Sequence, residues 1–356
     1  MKKVYFLAPY PLHHAPSQRF RFEQYLPLLQ EVGIAWRFQS FLSEKGWQVL
    51  YQKEKAPAKA FHVLMGFLRR MAVLFRLSDC HYVFIHRELS PLGPPVFEWI
   101  IAKLLRKKII YDFDDAIWMA DEGDLSGLLL RLKWHKKVAQ ICSWSYKVSA
   151  GNAYLCKFAE QHGAKAFFMP TTLDTEKEHI PPLKTSKHHP LRIGWTGTHS
   201  TLKHLYLLWP VLEKLYVQHP FELWVIANRP PEKAFPSLRF IPWRKESEIQ
   251  DLAQFDIGIM PLPDDAWSKG KCGFKALQYM ALEIPAVASD VGANRTILSN
   301  GESGFLCSSE QEWLDTLGRL LTQPELRKEM GQKGREQVKR HYSIVSRTGD
   351  FLGLFA

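Results

Sequence analysis

Residues 270–292 read Gly270-Lys-Cys-Gly-Phe-Lys-Ala-Leu-Gln-Tyr-Met-Ala-Leu-Glu-Ile-Pro-Ala-Val-Ala-Ser-Asp-Val-Gly292. Their order predicts a loop, a helix, a turn, a strand and a second loop. Gly270 and Gly273 allow a tight bend and a close approach of backbone to a ligand. Ala276 to Glu283 are good helix formers without an internal Gly or Pro, and Pro285 ends the run before the short apolar strand Ala286-Val-Ala288. A helix N-terminus offers free N–H groups and partial positive charge, and Lys269, Lys271 and Lys275 add full charges around its first turn. Gln278 lies three residues after Lys275, so both project from one face. A cation at the phosphates with a polar group one turn deeper suits a nucleoside diphosphate. The plainer reading is a Gly-capped helix with solvated lysines.

The pattern resembles the donor-binding segment of family 4 of the retaining, GT-B-fold glycosyltransferases. That segment has the form E-x-F-G-x-x-x-x-E-A-M-A-x-G-x-P-V-V-A-S-x-x-G. The chain matches at Gly273, Met280-Ala281, Pro285, Val287-Ala-Ser289 and Gly292. It departs at both acids, with Gly270 at the first Glu position and Gln278 at the second. A subgroup with a Lys-x-x-Glu-Tyr form is nearest to Lys275-Ala-Leu-Gln278-Tyr279. The resemblance implies an α/β protein of GT-B type: two Rossmann-like doubly wound domains facing an interdomain cleft. It places Lys275, Lys271, Gly273, Phe274 and Gln278 on the donor.

Composition agrees with a two-domain globular chain. At 356 residues it is too long for one ordinary core, and 46% hydrophobic with 23% charged residues is the balance of a soluble protein. The five cysteines are scattered and form no Cys-x-x-Cys pair, so neither a disulfide framework nor a zinc site is expected, and a reducing, cytoplasmic setting is inferred. No secretory signal is apparent, and no apolar run is long enough to span a bilayer. Of the net charge of +11, residues 1–170 carry +10, from 24 Lys and Arg against 14 Asp and Glu. A basic N-terminal half implies an anionic partner, such as a membrane surface, an anionic glycan or lipid, or nucleic acid. No nucleic-acid recognition motif accompanies the charge, so nucleic acid is the weakest of the three.

In the N-terminal half, Val4 to Ala8 predicts a strand, followed by a long loop to Ser17 and a helix over Gln18 to Leu29. The resemblance sets this loop toward the cleft, which makes His13, His14, Ser17, Arg19 and Arg21 acceptor-side candidates, against a plain surface loop. Phe61 to Leu77 is strongly apolar but carries Arg69, Arg70 and Arg76. It reads as a core helix, with a helix lying at a membrane interface as the alternative. His81 to Ile85 predicts a buried strand, Pro94 to Leu105 a helix, and Leu128 to Val138 a second basic, aromatic helix. Ile109 to Trp118 predicts a strand running into Asp112, Asp114 and Asp115. Asp112-Phe-Asp114 has the Asp-x-Asp form that can hold a divalent metal on a diphosphate, a weak signal when alone. The family likeness instead puts Asp114 at the position that touches the transferred sugar. Asp115 suits a helix N-cap. Lys147 to Leu155 resembles a family strand and turn at the cleft floor, with Asn152 as a substrate or packing residue.

The C-terminal half alternates strands and helices, as one doubly wound domain does. Leu191 to Gly197 opens it as a strand and a Gly-containing turn, and Thr198 to Lys203 leads into a helix. This is a second phosphate-cradle candidate, without a P-loop or nicotinamide-binding form. The resemblance brings Gly197, Thr198 and Lys203 to the diphosphate, and brings the strand ends at Asn228 and Trp243 to the nucleotide. Glu310 to Leu321 and Pro324 to His341 predict amphipathic helices. The expected organisation is 1–174 as acceptor-side domain, 175–190 as linker, 191–340 as nucleotide-sugar domain, and 341–356 crossing back. The implied reaction is retaining transfer of a hexose from a nucleoside diphosphate sugar to a hydroxyl of a glycan or lipid-linked acceptor. Catalysis would fall to Lys275 and Asp114, with no cofactor or metal. The alternative is a non-catalytic scaffold that binds nucleotide sugar.

Overall fold

A computed structural model describes residues 2–50, 52, 55–119, 133–182 and 190–356. The chain forms two compact units, residues 1–171 with 347–356, and residues 172–346.

The first unit is built on six parallel strands, β1 (Lys3–Ala8), β2 (Ala35–Ser40), β3 (Tyr82–His86), β4 (Lys108–Phe113), β5 (Lys147–Ala150) and β6 (Ala166–Phe168), in the order β2-β1-β3-β4-β5-β6. β1, β3, β4 and β5 are buried along nearly their whole length, as strands of a parallel sheet covered on both faces are. Strand order reverses between β1 and β3, and ligands of open α/β sheets bind outside the carboxyl ends at such a switch. The C-terminal segment completes the core. Tyr25 stacks on Phe351 at 4.3 Å between centroids, Phe84 packs on Phe351 and Phe355, and Lys147 Nζ donates to the Gly353 carbonyl at 2.7 Å.

The second unit repeats the plan with β7 (Arg192–Thr196), β8 (Glu222–Ala227), β9 (Leu238–Pro242), β10 (Ile257–Met260), β11 (Ala286–Ser289) and β12 (Gly304–Cys307), all parallel, in the order β12-β11-β10-β7-β8-β9. Its switch point lies between β7 and β10. The helix predicted at 276–283 spans Phe274–Ala281, and the two C-terminal amphipathic helices span Glu310–Thr322 and Pro324–His341. The first of these is held by a capping box between Ser309 and Glu312.

Several predicted elements differ. The helix expected over 18–29 is three short pieces, Pro16–Arg21, a 3-10 turn Glu23–Tyr25 and Leu26–Glu31, the last opening with Pro27 in its first turn. The helix expected over 94–105 is α-helical at Val96–Trp99 and then widens to a π turn, Ile100–Leu104. The basic helix expected over 128–138 lies partly outside the described residues. From 133 the chain turns, with Trp134 in the left-handed region, and helix runs only over Lys137–Trp144. The start of the stretch read as a linker is bound to the second unit, since Arg335 donates to the carbonyls of Thr175 and His179.

Candidate functional site

The carboxyl edge of the second sheet collects most of the residues singled out in sequence. β7 runs into Gly197 and Thr198, β8 into Asn228, β9 into Trp243, and the loop after β10 into the helix Phe274–Ala281. Gly273 caps that helix with φ of +63°, where an L side chain is strained, and an added Cβ would also lie 2.2 Å from Ile297 Cδ1. Gly197 faces a different limit, as its Cβ would sit 2.3 Å from the buried Trp195 indole. Trp195 therefore floors the turn, and Lys275 Nζ stands 5.4 Å from its ring centroid. Lys271 lies over Trp267 at 4.7 Å. Thr196 N donates to the Tyr279 hydroxyl, which donates to the Ile259 carbonyl, so the helix spans the switch between β7 and β10.

Electrostatics show that the lysines converge. The buried imidazole of His204 is held down at about 4, by burial first and then by Lys275, Lys203 and Lys271, with Asp265 opposing them. Lysines from two stretches distant in sequence, 203 and 271–275, thus act on one neutral ring. Thr198 is part of a capping box with Thr201, and Asn228 Oδ1 accepts from His199 N at 2.7 Å, fixing the turn above Trp195. Trp243 is half-buried at the end of β9, where its N donates to the Ala227 carbonyl. Phe274 is half-buried at the helix start.

Gln278 differs from a solvent-facing ribose ligand. It is 2% exposed, and its Nε2 donates to Glu248 Oε1 at 3.3 Å. Glu248, also buried, is the first residue of the helix Glu248–Leu252. A Glu at 278 would set two carboxylates against each other, and the amide removes that conflict. A cavity of about 300 Å³ opens at the same edge over β10, β11 and β12, lined among others by Asp264, Arg295 and Ser309. Of the residues matching the family motif, Ser289 lines it, and none of the candidate site residues does.

In the first unit, the carboxyl edge is a network of paired charges. Asp112 is 1% exposed, and both its oxygens are engaged: Arg21 Nη2 at 2.5 Å and Ser149 Oγ at 2.6 Å on Oδ1, His86 Nδ1 at 2.7 Å on Oδ2. Burial alone would raise this carboxyl, but Arg21 and His86 hold it below the usual range. Arg21, grouped in sequence with acceptor-side residues, is therefore a core group, and it also donates to the Met169 carbonyl. Asp112 could bind a metal only by giving up these partners, so the Asp-x-Asp reading does not suit it. The relay continues outward, with Ser17 Oγ 2.8 Å from His86 Nε2.

Asp114 Oδ1 accepts from both Nε and Nη2 of Arg87 at 3.0 and 2.7 Å. Burial pushes its carboxyl up, but Arg87, His86 and Arg21 overcome this and hold it well below the usual range. Arg87 adopts φ of +60° at the end of β3, an uncommon conformation for a non-glycine residue and a mark of local constraint. Asp115 accepts from Ala116 N. Asn152 caps the helix Ala153–Gln161 by accepting from Leu155 N at 2.8 Å. Arg19 is half-buried against Phe20. His13 N donates to the buried Glu23, and the His14 ring meets Glu44. Among the described residues, His86, Arg87, His204 and Glu248 are site groups that sequence did not select. His86 and Arg87 were legible only as a loop at a strand end.

Comparison with known proteins gives a match within the second unit and a likeness in fold over the whole chain. Residues 190–323 match the profile of the family described as "Glycosyl transferases group 1". A curated relative, Glycosyltransferase 1 domain-containing protein 1 of Xenopus tropicalis, is 33% identical over 67 residues, which is 19% of each chain. The chain thus spans about a fifth of that relative's length. Sucrose-phosphate synthase of Thermosynechococcus elongatus superposes with a TM-score of 0.72 at 12% identity, covering 100% of this chain and 98% of that one. HepE of Anabaena, solved in complex with UDP-glucose, superposes with a TM-score of 0.66 at 13% identity, covering 100% and 99%. The fold is accordingly GT-B.

Proposed function

We propose that the chain is a retaining glycosyltransferase that moves a hexose from a nucleoside diphosphate sugar to a hydroxyl of a glycan or lipid-linked acceptor. One observation carries the reading: Lys275 stands 5.4 Å from the Trp195 ring that floors the Gly197 turn, in the first turn of the helix at the switch point of the second sheet, and its charge acts with those of Lys203 and Lys271 on His204. The family match over 190–323 and the GT-B likeness support it, and a structural neighbour is solved with UDP-glucose.

The bond between the anomeric carbon and the β-phosphate oxygen breaks, and its electron pair leaves with the diphosphate. Lys275 and the first turn of its helix stabilise that charge, an effect worth about 3 kcal/mol per well-placed donor. The acceptor oxygen bonds the anomeric carbon on the face the phosphate leaves, and its proton passes to the departing phosphate oxygen. No protein nucleophile and no cofactor is required. Asp114, held ionised by Arg87, is assigned to the transferred sugar. Arg19, Ser17 and Asn152 are assigned to the acceptor side, and Asn228 and Trp243 to the nucleotide. Lys275→Ala should lower turnover at saturating donor at least about tenfold, with its thermal midpoint unchanged. Wild-type turnover in this variant would overturn the role of Lys275.

The replacement of both motif acids, with Gln278 bound to Glu248, favours a second reading. In it the chain binds nucleotide sugar without turning it over. Purified protein that is stabilised by UDP but neither transfers nor hydrolyses a panel of UDP-, GDP- and ADP-sugars would select that reading.

A further inference from the structure

We propose that the first unit docks on an anionic lipid bilayer through the outer face of the helix Ala56–Leu74 and the neighbouring segment 96–104. The helix has two unlike faces. Gly66, Arg70 and Val73 are buried against the unit, while Phe61, Leu64, Leu68, Met71 and Phe75, just past its end, are exposed by 58, 58, 49, 53 and 85%. The exposed five follow one another at intervals of three and four residues, so they form a single stripe. Soluble surfaces scatter large apolar residues singly, and a contiguous stripe marks an interaction site.

The buried face fixes that orientation. Arg70 is fully enclosed, where its guanidinium donates to the carbonyls of Ala8 at 2.7 Å, Gln39 at 3.0 Å and Leu89 at 3.0 Å. These are the loops and strand ends that follow β1, β2 and β3. Burial outweighs the opposing Glu98 carboxylate and leaves this guanidinium lowered to about 9. Gly66 lies against the Phe41 ring, with no room for a Cβ. Rotating the helix to hide the stripe would strand a buried charge, so the apolar face must stay outward.

The face is wider than one helix. Phe67 and Phe97 rings stand 6.1 Å apart, and beside them Val96, Trp99 and Leu104 are 51, 42 and 62% exposed. A strict two-helix seam needs only the narrow stripe, whereas a broad face ending in a partly exposed Trp suits the bilayer interface. Charge decides the partner. Residues 55–78 and 95–108 present Lys55, Lys59, Arg69, Arg76, Lys103 and Arg106, and the one acid they contain, Glu98, is 1% exposed. A second copy of this face would bring like charges together. Anionic headgroups complement them and let the apolar stripe sink to the acyl boundary. No described helix is long and apolar enough to cross a membrane, so the helix lies on the surface. This inference does not depend on the donor chemistry.

The test is sedimentation of the full chain with vesicles of phosphatidylcholine alone or mixed with phosphatidylglycerol, alongside light scattering without lipid. The wild-type chain should pellet with the mixed vesicles and far less with the neutral ones. Leu64→Ser with Leu68→Ser should weaken partitioning at least about tenfold, at an unchanged thermal midpoint. Arg69→Glu with Arg76→Glu should weaken it comparably and flatten its salt dependence. Arg76 is exposed and Arg69 half-buried, with its Nη1 3.4 Å from the Phe41 carbonyl, so thermal midpoints are read for both variants, and if the apolar variant folds poorly the charge variant still decides. Wild-type protein that stays in the supernatant, or variants that bind like wild type, would overturn the proposal. A lipid-free dimer that the apolar variant makes monomeric, with no vesicle binding by wild type, would assign the face to a second copy instead.

Discussion

Both sheets have six parallel strands, two before the switch point in the first and three in the second, and their carboxyl edges handle charge differently. In the first unit, two acids at the end of β4 have cations of their own unit against them: Asp112 with Arg21 and His86, Asp114 with Arg87. In the second, burial first and then three lysines hold one imidazole neutral. A paired edge spends its charges on folding. On the second edge Lys269 is paired with Asp264, while Lys203, Lys271 and Lys275 share one imidazole as a neighbour, an arrangement that suits an anionic ligand. The first edge should therefore fail in stability when altered, and the second in ligand affinity.

The largest effect is expected at Arg21. Arg21→Met removes the guanidinium and leaves Asp112 ionised in the core, which costs about 3–5 kcal/mol when a buried pair loses one partner. Equilibrium urea unfolding should show that loss, and Arg21→Met combined with Asp112→Asn should recover part of it. Lys275→Ala, on the second edge, should change stability by less than about 0.5 kcal/mol. A loss below about 1 kcal/mol in Arg21→Met would show that the first edge is not held by its charge pairs.

A smaller effect is expected at Gln278. Gln278→Glu restores the acid of the family pattern but sets it against Glu248, 3.3 Å away in the present pair. Two close carboxylates cannot both ionise cheaply, so the pair's folded pKa rises above the unfolded value of about 4.3. The variant should therefore match wild type near pH 4 and fall behind by about 1–3 kcal/mol as pH rises to 8. Unfolding midpoints collected across that range test this. A constant difference between the two proteins would mean that the carboxylates do not meet. Nucleotide affinity in the same variant shows whether Glu248 has taken over the acid's place.

The alternating strands, the Gly273 cap and the C-terminal helices were legible because each is encoded locally, in periodicity or in one turn residue. The lysines were legible as types, but their convergence was not. His204 follows Lys203 directly, while Lys271 and Lys275 reach it only through the β7–β10 crossover. Arg21 and Arg70 misled for the same reason. Each looks like a surface charge on an amphipathic helix, and each is satisfied by groups distant in sequence, Asp112 for one and the Ala8, Gln39 and Leu89 carbonyls for the other. Gln278 looked like a substitution at a ligand position, and only its neighbour Glu248 shows what the amide is for. The exposed stripe on Ala56–Leu74 was read mainly as core, since apolar content alone does not say which side of a helix meets the protein.

The smallest effect, and the most direct comparison of the two edges, concerns His204. Its folded pKa of about 4 lies below the unfolded value of about 6.5. Below pH 6.5 the unfolded chain takes up a proton that the folded chain refuses, so stability falls as pH drops from 6.5 toward 4. His204→Gln keeps a polar side chain that does not titrate, and the acid-side loss relative to wild type should shrink across that window and vanish above pH 7. A diphosphate seated among Lys203, Lys271 and Lys275 would offset their field on the ring and raise its pKa. The stabilisation of wild type by UDP should then grow between pH 7 and 5, and that growth should be absent in His204→Gln. If UDP stabilises both proteins with the same pH dependence, the nucleotide's phosphates do not sit in the lysine field, and the second edge loses its claim to the donor.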